Sequence, residues 1–409
     1  MKVLVITPLN PPIEGKDVHA IYKRLRMFIQ ALAGICDSVV VLHFVPPEAP
    51  EWSMDPRHLD ETQSRYWGVN VRVKLAPRRK VELRWWEYLR SFFSVLYRPR
   101  IYPYVGSEQI AAIKSCLSEA PDLIFAHRIM VMAAFFRIAR VDLPLLFDLD
   151  DVEHRVKIRF SRGSRSLAAK LYHLLQVPAL YFAEMKAARM AAMTFLCSEL
   201  DRAYVGRLGM ANVQAIPNAL PIPNIVQNAK TDASILYLGT YEYVPNVAAA
   251  ERLISQIWPK IVKENSQARL TIAGARPDLI PSFALKPSSV DFTGVVPDLT
   301  PLYQRSRIVC CPLTVGGGTR VKLVEAAGYA KPIVSTAIGA EGLSMINNEE
   351  ILIRDSDDEI AEACLRLLRN EELCAQLGSA ARQKAKLLYD VANVREKIAE
   401  SVTRAVVDR

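Results

Sequence analysis

The chain has 409 residues, of which 51% are hydrophobic and 23% are charged. This balance is typical of a globular protein and excludes a disordered chain, and the length allows two or three domains. The net charge of +9 lies entirely in residues 1–225, which carry 30 basic and 21 acidic side chains. We therefore expect an anionic partner for the first half of the chain.

The cysteines and the apolar stretches indicate the compartment. The seven cysteines include no CxxC pair and several lie in apolar runs, which favours buried free thiols in a reducing compartment. We find no uncharged apolar stretch of about 18 residues, and Pro8 interrupts the short apolar run at the N-terminus. We therefore expect a cytoplasmic protein, with room for a peripheral position at the inner face of the cytoplasmic membrane.

Buried strands alternate with amphipathic helices in the first half, which predicts a parallel α/β sheet. A Pro- and Asn-rich stretch, Pro217–Asn228, then resembles a linker. The predicted strands are Val3–Ile6, Ser38–Leu42, Asp122–Ala126, Leu143–Phe147, Ala192–Cys197 and Val213–Ile216, and the predicted helices are Val18–Ala33 and Ala168–Ala192, with Ser198 as the cap of a further helix.

The same rhythm restarts after the linker. We therefore expect an N-terminal domain over 1–225, a C-terminal domain over 226–390 and a final helix over 391–409. The predicted strands are Ser234–Leu238, Ala268–Ala273, Val290–Phe292, Ile308–Cys311, Pro332–Ser335 and Glu350–Ile353, and the predicted helices are Asn246–Glu264, Leu299–Ser306, Val321–Gly328, Asp357–Arg369 and Glu371–Tyr389.

Two basic segments interrupt the rhythm of the first half. Residues 78–100 combine seven basic side chains with clustered aromatic ones, and residues 155–170 carry six basic side chains. Such a composition is typical of a surface that lies in a membrane interface, whereas the alternative is an ordinary packed helix with a solvated basic face. Nucleic acid is not an expected partner, because we see no known binding module.

The strongest chemical signal is Pro312–Val334, which follows an apolar strand. Three glycines, Gly316–Gly318, let the backbone approach a ligand closely, and Thr319 is expected to open a helix whose N–H groups suit an anion. Arg320 and Lys322 add two cations beside that end, and a carboxylate such as Glu325 suits ribose hydroxyls. The pattern differs from GxxxxGK[ST], so a P-loop ATPase is not expected.

Taken together, these residues resemble the donor-binding signature of GT-B glycosyltransferases of the family 4 type. Further matching stretches are Gly239, Ile272–Gly274, Phe292–Val296, Ala340–Leu343, Ser198–Glu199 and Ile216–Asn218. The resemblance covers nearly the whole chain and is sharpest over 234–343. It is nearest to bacterial sugar transferases associated with exopolysaccharide synthesis.

The resemblance implies an α/β fold of two Rossmann-like domains facing across a deep cleft. The second domain would bind a UDP- or GDP-sugar, and the first would bind a saccharide or lipid-linked acceptor. The implied reaction retains the anomeric configuration and uses neither a metal nor a cofactor. Electrostatic stabilisation of the departing diphosphate would supply most of the catalysis.

The sequence departs from the family pattern at two places on the donor side. Gly317 stands where the family has a first glutamate, and the stretch after Gly239 and Thr240 has no cation. Because of these departures, we expect Arg320 and Lys322 to contribute more of the donor binding than in the family pattern. The predicted donor-binding residues are Gly15, Lys16, Gly239, Thr240, Gly317, Gly318, Thr319, Arg320, Lys322 and Glu325.

The loop after the first strand resembles the family loop that reaches the diphosphate with paired glycines. Gly15 is kept, Lys16 replaces its neighbour and adds a positive charge, and His19 is expected to be structural.

An acidic cluster, Asp148–His154, follows a predicted strand of the first domain. It can be interpreted as a DxD metal motif, as paired carboxylates for acid–base work, or as helix caps, with Asp151 as one cap. In the GT-B frame we expect Asp148 or Asp150 to orient the acceptor hydroxyl, and His127 to point to the same rim. These three are the predicted catalytic residues, and no metal ligand is predicted.

Two other functions remain open from the sequence. A nucleotide-sugar epimerase of GT-B architecture would use the acidic cluster for proton transfer and need no acceptor. A non-catalytic nucleotide-sugar-binding subunit would account for the missing glutamate and the altered Gly15–Lys16 loop. A dinucleotide oxidoreductase is disfavoured, because no GxGxxG follows either domain's first strand.

Overall fold

The computed structural model describes residues 1–13, 20–138, 141–164, 166–224, 232–316 and 319–407. Contacts divide the chain into two compact units. The first unit comprises Met1–Asn218 together with Val394–Arg409, and the second comprises Ala219–Asn393. The predicted boundary at residue 225 opens a stretch, 225–231, that lies outside the described residues.

The first unit is built on a parallel sheet of apolar, β-branched strands, whose order is β3-β2-β1-β4-β5-β6-β7. The central strands are buried almost throughout, as expected for a sheet covered on both faces. The strands are β1 (Lys2–Thr7), β2 (Ser38–Val45), β3 (Arg72–Pro77), β4 (Leu123–His127), β5 (Leu145–Asp150), β6 (Met193–Leu196) and β7 (Val213–Ala215). The helices are α1 (Ala20–Ala33), α2 (Pro56–Trp67), α3 (Trp85–Arg90), α4 (Ser107–Leu117), α5 (Arg128–Phe135), α6 (Glu153–Gly163), α7 (Leu167–Leu175), α8 (Val177–Met190) and α9 (Glu199–Arg207).

The second unit repeats this plan, with the strand order β10-β9-β8-β11-β12-β13. Its strands are β8 (Ser234–Leu238), β9 (Arg269–Ala273), β10 (Val290–Gly294), β11 (Ile308–Cys311), β12 (Ile333–Ser335) and β13 (Leu352–Ile353). Its helices are α10 (Val244–Arg252), α11 (Trp258–Glu264), α12 (Thr300–Arg305), α13 (Val321–Gly328), α14 (Ala337–Ala340), α15 (Asp357–Arg369) and α16 (Glu371–Tyr389), and α17 (Val391–Val407) ends the described chain.

Both sheets reverse their strand order beside the first strand of the unit. The reversal lies between β1 and β4 in the first unit, and between β8 and β11 in the second. In open α/β sheets, ligands bind at the carboxyl ends of the strands at such a switch point. The fold therefore places the loops after these four strands at the two edges where chemistry is expected.

Several predicted elements differ from the observed ones for local reasons. The helix expected over Ala168–Ala192 is broken at Gln176, because Pro178 lacks the N–H that a continuous helix would need. The helix expected over Asn246–Glu264 widens into a π-helical turn at Leu253–Ile257, just before Pro259. Ser198 does cap α9, since its hydroxyl accepts from the N–H of Asp201.

The final helix α17 buries one apolar face. Val394, Ile398 and Val402 are buried on it, and Arg395 Nη1 donates to Gln30 Oε1 on α1 at 3.1 Å. In the part of the chain that the structure describes, no helix is both long enough and apolar enough to cross a membrane.

Candidate active site

Glycine lets three loops of the second unit approach one another closely. Gly239 donates its N–H to Ala273 O at 3.0 Å, and Gly274 donates to Gly294 O at 2.8 Å. Gly274 has φ +132°, and a Cβ at this position would lie 1.7 Å from Gly239 O. The loop after β8 can therefore hold this position only while residue 274 is glycine.

Lys322 lies in the first turn of α13, with its ammonium beside neutral polar groups. Its Nζ donates to Asn246 Oδ1 at 3.1 Å and lies 4.4 Å from the centroid of the Tyr237 ring. Among the described residues, no carboxylate oxygen lies within 4 Å of this nitrogen. Burial lowers the pKa of Lys322 to about 8, because removal from water disfavours the charged form.

Asn246 connects the two loops at the switch point, and sequence reasoning missed it. Its Nδ2 donates to Thr240 O at 3.0 Å, while Tyr237 donates to its side-chain oxygen at 3.3 Å. The amide thus fixes the loop after β8 and orients Lys322 from α13. The signal that was available is the position of Asn246 in the first turn of α10, directly after the loop that starts at Gly239.

Thr319 and Arg320 precede α13 and are only 7% and 9% exposed. Thr319 was expected to open the helix, but Arg320 is the N-cap residue and the helix starts at Val321. Gly316 has φ +145°, and a Cβ there would lie 2.7 Å from Arg320 Nη2. The guanidinium therefore packs against the loop backbone, while Gly317 and Gly318 lie outside the described residues.

Glu325 lies one turn further along α13 and is partly buried. Tyr303 donates its hydroxyl to Glu325 Oε2 at 3.0 Å, and its ring stacks on Tyr329 at 4.6 Å between centroids. Burial and the nearby Glu325 together hold the pKa of Tyr303 well above its usual range. Glu325 is therefore a carboxylate in a fixed orientation, near Lys322 on the same helix.

In the first unit, a polar row crosses the carboxyl edge of the sheet. Thr7 pairs in register with His43, and His127 pairs with Asp148. Thr7 Oγ1 and His127 Nδ1 lie 2.9 Å apart, and His127 Nε2 lies 3.8 Å from Asp148 Oδ2. Burial, helped by Arg128 and Arg24, lowers the pKa of His127 well below its usual range, so this imidazole is neutral at pH 7.

Asp148 is fully buried and faces Arg24 of α1. Arg24 donates from Nη2 at 2.7 Å and from Nε at 3.0 Å, and its Nη1 donates to Ile216 O at 2.8 Å. Both partners are shielded from water, with side chains at most 1% exposed. Asp148 is therefore held as half of an interior ion pair, which suits a positioning role better than contact with an acceptor.

Asp150 is also buried, with 5% of its surface exposed, and it lies between two arginines. It pairs with Arg128, and Arg24 Nε lies 3.3 Å from its Oδ1. Asp150 and Arg128 have φ values of +63° and +70°, a left-handed conformation that is uncommon outside glycine. Such backbone strain is concentrated at functional sites. Here the two strained residues, Arg128 and Asp150, form an ion pair with each other.

Asp151 is not the helix cap that the sequence suggested. Val152 occupies the N-cap position of α6, whereas Asp151 Oδ1 accepts from Cys197 Sγ at 3.1 Å. Burial and the neighbouring Asp150 raise the pKa of Asp151 to about 7. Ligand atoms of Asp150, Asp151 and Cys197 lie within 4.8 Å of one another, yet two arginines already balance Asp150.

A hydrogen-bonded network starts at His154, the last residue of the acidic cluster, and the sequence did not predict it. His154 Nδ1 contacts the buried Glu184, and its Nε2 lies 2.8 Å from Tyr204 OH. The guanidinium of Arg155 lies 4.6 Å from the Tyr204 ring. This network connects α6, α8 and α9 next to the acidic cluster. The remaining predicted residues, Gly15 and Lys16, lie outside the described residues.

Comparison with known proteins supports the fold and, for the second unit, a family resemblance. Residues 232–370, which lie within the second unit, match the family model Glycosyl transferases group 1. A curated relative, an uncharacterized 44.6 kDa protein in the cps region of Klebsiella pneumoniae, is 23% identical over 166 residues. That match covers 38% of this chain and 43% of the relative.

Solved structures of similar fold cover nearly the whole chain. Sucrose-phosphate synthase from Thermosynechococcus elongatus is 15% identical, with full coverage of both chains and a TM-score of 0.74. Anabaena HepE in complex with UDP and glucose is 15% identical over 98% of this chain and 99% of HepE, with a TM-score of 0.64. A TarM variant from S. aureus, in complex with fondaparinux, α-GlcNAc-glycerol and UDP, is 13% identical over 99% of both chains, with a TM-score of 0.65. The fold is therefore the α/β GT-B fold, as the sequence predicted.

Proposed function

We propose that the protein is a retaining, metal-independent glycosyltransferase that moves a sugar from a UDP- or GDP-sugar to a saccharide or lipid-linked acceptor in exopolysaccharide synthesis. The observation that carries the donor half of the proposal is the cation Lys322, held at the switch point with no carboxylate partner among the described residues. A partly buried ammonium in such a place gains a counter-charge when a diphosphate binds beside it.

The donor-side roles follow from the contacts of the described residues and, for Gly15, Lys16, Gly317 and Gly318, from the sequence alone. Lys322 and Arg320 bind the diphosphate oxygens and stabilise the charge that grows as the sugar leaves. Gly239, Thr240 and Thr319, together with Gly317 and Gly318, supply backbone close to the donor. Glu325 accepts hydrogen bonds from ribose hydroxyls, and Tyr303 keeps it in place. Gly15 and Lys16 lie outside the described residues and stay predicted diphosphate contacts.

On the acceptor side, Asp150 orients the acceptor hydroxyl. It is 5% exposed, whereas Asp148 and His127 are fully buried, and Arg128 holds its carboxylate from one side. Asp148 and His127 act through it as positioning residues, because both are fully buried in the polar row beneath. Neutral His127 keeps this row from carrying a further positive charge.

The basic-aromatic segment 78–100 supports a peripheral position on an anionic membrane. Trp85 and Phe93 are 76% and 88% exposed, and Leu171 on α7 is 58% exposed. Tyr88 OH and Tyr172 OH lie 3.0 Å apart, so segment 78–100 and α7 form one surface. Exposed aromatic side chains beside seven basic ones favour a membrane interface.

The donor half is tested by transfer. Purified protein is incubated with labelled UDP-glucose, other UDP-sugars and GDP-sugars, and with membrane extracts as the acceptor source. We expect transfer from one nucleotide-sugar, and a roughly 100-fold loss in Arg320→Ala. The matched control Arg305→Ala removes an exposed arginine from α12 and should keep full activity.

The same assay separates the alternative functions. Isomerised nucleotide-sugar without acceptor would indicate an epimerase, and donor binding without transfer or isomerisation would indicate a binding subunit. Either outcome contradicts the proposed transfer. The anomeric configuration of the product, read by NMR, tests retention, and full activity in EDTA tests metal independence.

The membrane proposal is tested by vesicle flotation. We expect binding to vesicles of phosphatidylcholine with about 30% phosphatidylglycerol at low salt, and loss of binding in Trp85→Ser/Phe93→Ser. The control Leu285→Ser/Leu387→Ser removes two exposed leucines of the second unit and should bind normally. Equal binding by both double variants would contradict the assignment of this surface.

A further inference from the structure

A basic pocket lies at the carboxyl ends of β2 and β3 in the first unit, at the edge of the sheet where ligands bind. Its volume is about 400 Å³. The pocket is lined by four cationic side chains, by Tyr104 and by Met130 of α5. The four cations are Arg78, Arg79, Lys80 and Arg100. None of these residues has a role in the donor site or the acidic cluster.

The charge of this pocket is not balanced by the protein. Glu48 is the acidic residue in its wall, against four cations. Among the residues that the structure describes, none of the four cations forms an ion pair within 4 Å. Four like charges around one cavity repel one another, and an anion in the cavity would relieve that repulsion.

Two of these cations are held in place before any ligand arrives. Arg78 Nη2 donates to Asn10 Oδ1 at 2.6 Å and to Phe44 O at 3.0 Å, while its Nε is buried without a hydrogen-bond partner. The guanidinium of Arg79 lies 4.1 Å from the centroid of the Tyr102 ring. A pre-positioned guanidinium loses little side-chain entropy when it binds phosphate oxygens in a fork.

Arg78 lies beside Tyr104 in the pocket wall, with its guanidinium carbon 5.7 Å from the centroid of the Tyr104 ring. Burial raises the pKa of Tyr104, and both arginines oppose that rise because they favour the phenolate. The Tyr104 hydroxyl also contacts Pro8 O at 3.4 Å, in the loop that follows β1. The pocket is thus anchored to the switch point of the first unit.

The pocket is continuous along the chain with the aromatic surface. Lys80 and Val81 line its wall, and α3 starts four residues later at Trp85. A lipid-linked acceptor with its chain at Trp85 and Phe93 would bring its polar head to this pocket. The head group that suits these four cations is a phosphate or diphosphate ester.

We propose that this pocket binds the phosphate or diphosphate group of the acceptor, and so selects phosphate-linked acceptors over neutral saccharides. The inference rests on the proposed transferase function, which supplies the acceptor. The shared chemistry is a phosphate ester, and its source is either a lipid headgroup or a free phosphorylated compound.

Pyrophosphate is the first probe, titrated by calorimetry. Because Arg320 and Lys322 would also bind it, the titration uses Arg320→Ala/Lys322→Ala as the parent. We expect binding in this parent and about 10-fold or more weakening when Arg79→Ala, Lys80→Ala and Arg100→Ala are added. The control set Arg57→Ala, Arg65→Ala and Lys114→Ala removes the same charge from exposed sites on α2 and α4, and should bind like the parent.

Vesicles distinguish the two sources. We call the protein with Arg79→Ala, Lys80→Ala and Arg100→Ala the pocket variant. In flotation, its binding to vesicles of phosphatidic acid in phosphatidylcholine should be weaker than that of its parent, whereas the control set should bind like the parent. Weakening with vesicles alone assigns the site to a lipid headgroup, and weakening with pyrophosphate as well shows that a free phosphate compound suffices. Unchanged binding of both probes in the pocket variant overturns the proposal.

Two readouts keep the test independent of folding and of the donor site. Lys80 is exposed, so Lys80→Glu should weaken the binding of both probes without lowering the melting temperature. UDP binding by the pocket variant, in the chain with intact Arg320 and Lys322, should equal that of the unaltered protein. If the pocket variant still binds pyrophosphate, the inference about the pocket is wrong. If Arg320→Ala also loses UDP binding, the proposed transferase function is nevertheless supported.

Discussion

The two units share a strand order around the switch point, but they treat charge there in opposite ways. In the first unit, Arg24 pairs with Asp148 and Arg128 pairs with Asp150, so the buried charges neutralise each other. In the second unit, Lys322 contacts an amide and an aromatic ring and, within the described chain, no carboxylate. A neutralised edge can fix a geometry, whereas an unbalanced cation is suited to bind an anion.

The largest expected effect comes from breaking the neutralised edge. Arg24→Met leaves Asp148 buried without its partner, which should lower the free energy of unfolding by about 3–5 kcal/mol. Urea unfolding followed by tryptophan fluorescence measures the loss. Arg26→Met, on the exposed side of the same helix, is the matched control and should change little.

A double variant sharpens this prediction. Arg24→Met/Asp148→Asn removes the isolated charge as well, so it should recover part of the lost stability. A single variant as stable as the starting protein would show that the pair contributes nothing, and that the first unit is not organised around it.

The next effect comes from the backbone of the second unit. Gly274→Ala puts a methyl group into Gly239 O at a positive φ, and should cost about 3 kcal/mol or more and weaken nucleotide binding with it. Gly206→Ala is the control, because a Cβ at Gly206 meets nothing within 4 Å. Thermal unfolding compares the two, and equal melting temperatures would show that the loops after β8 and β9 do not depend on glycine.

Removing the unbalanced cation should affect turnover more than folding. Lys322→Ala should lower kcat/KM for the nucleotide-sugar roughly 100-fold, since one preorganised charge on the leaving diphosphate is lost. Lys263→Ala, an exposed lysine on α11, should leave kcat/KM unchanged. If Lys322→Ala keeps full turnover, the unbalanced charge of Lys322 has no role in the reaction, and the difference in charge between the two units does not reflect function.

The smallest effect is a pH dependence that Lys322 imposes. Its pKa is lowered to about 8, so the free protein loses this charge as pH rises through 8, and UDP affinity should fall up to about 10-fold between pH 7 and pH 9. Calorimetry in Lys322→Met should show a flatter profile over the same range.

Stability should move in the other direction. The unfolded chain holds this proton up to a higher pH than the folded chain does, so the contribution of Lys322 to stability increases as pH rises from about 8 towards the unfolded value. Lys322→Met should therefore be more stable than the starting protein at pH 7, by roughly 1–3 kcal/mol. A less stable variant would contradict the view that the ammonium is costly in the empty site.

The sequence predicted the strands best where apolar runs were continuous. Ser234–Leu238 and Ile308–Cys311 were predicted with their observed bounds, because both strands are buried throughout. β3 was missed, since Arg72–Pro77 alternates at an exposed edge and lacks a continuous apolar run. The sequence also singled out Arg320 and Lys322 as donor-binding residues, which stays a prediction, but left Asn246 out.

The missed residues depend on contacts between distant parts of the chain. Asn246 and Lys322 are 76 residues apart, and Arg24 and Asp148 are 124 residues apart. No local sequence pattern predicts that Arg24 forms an ion pair with Asp148. The left-handed backbone at Arg128 and Asp150 was equally invisible, because neither residue is a glycine.

The pKa of Lys322 itself tests the central claim most directly. NMR of selectively labelled lysine, titrated with and without UDP, reports the charge of this one ammonium. We expect a pKa of about 8 in the free protein and a rise when UDP binds, because the diphosphate supplies the missing counter-charge. A pKa near the ordinary lysine value that does not respond to UDP would contradict the assignment of Lys322 to the donor site.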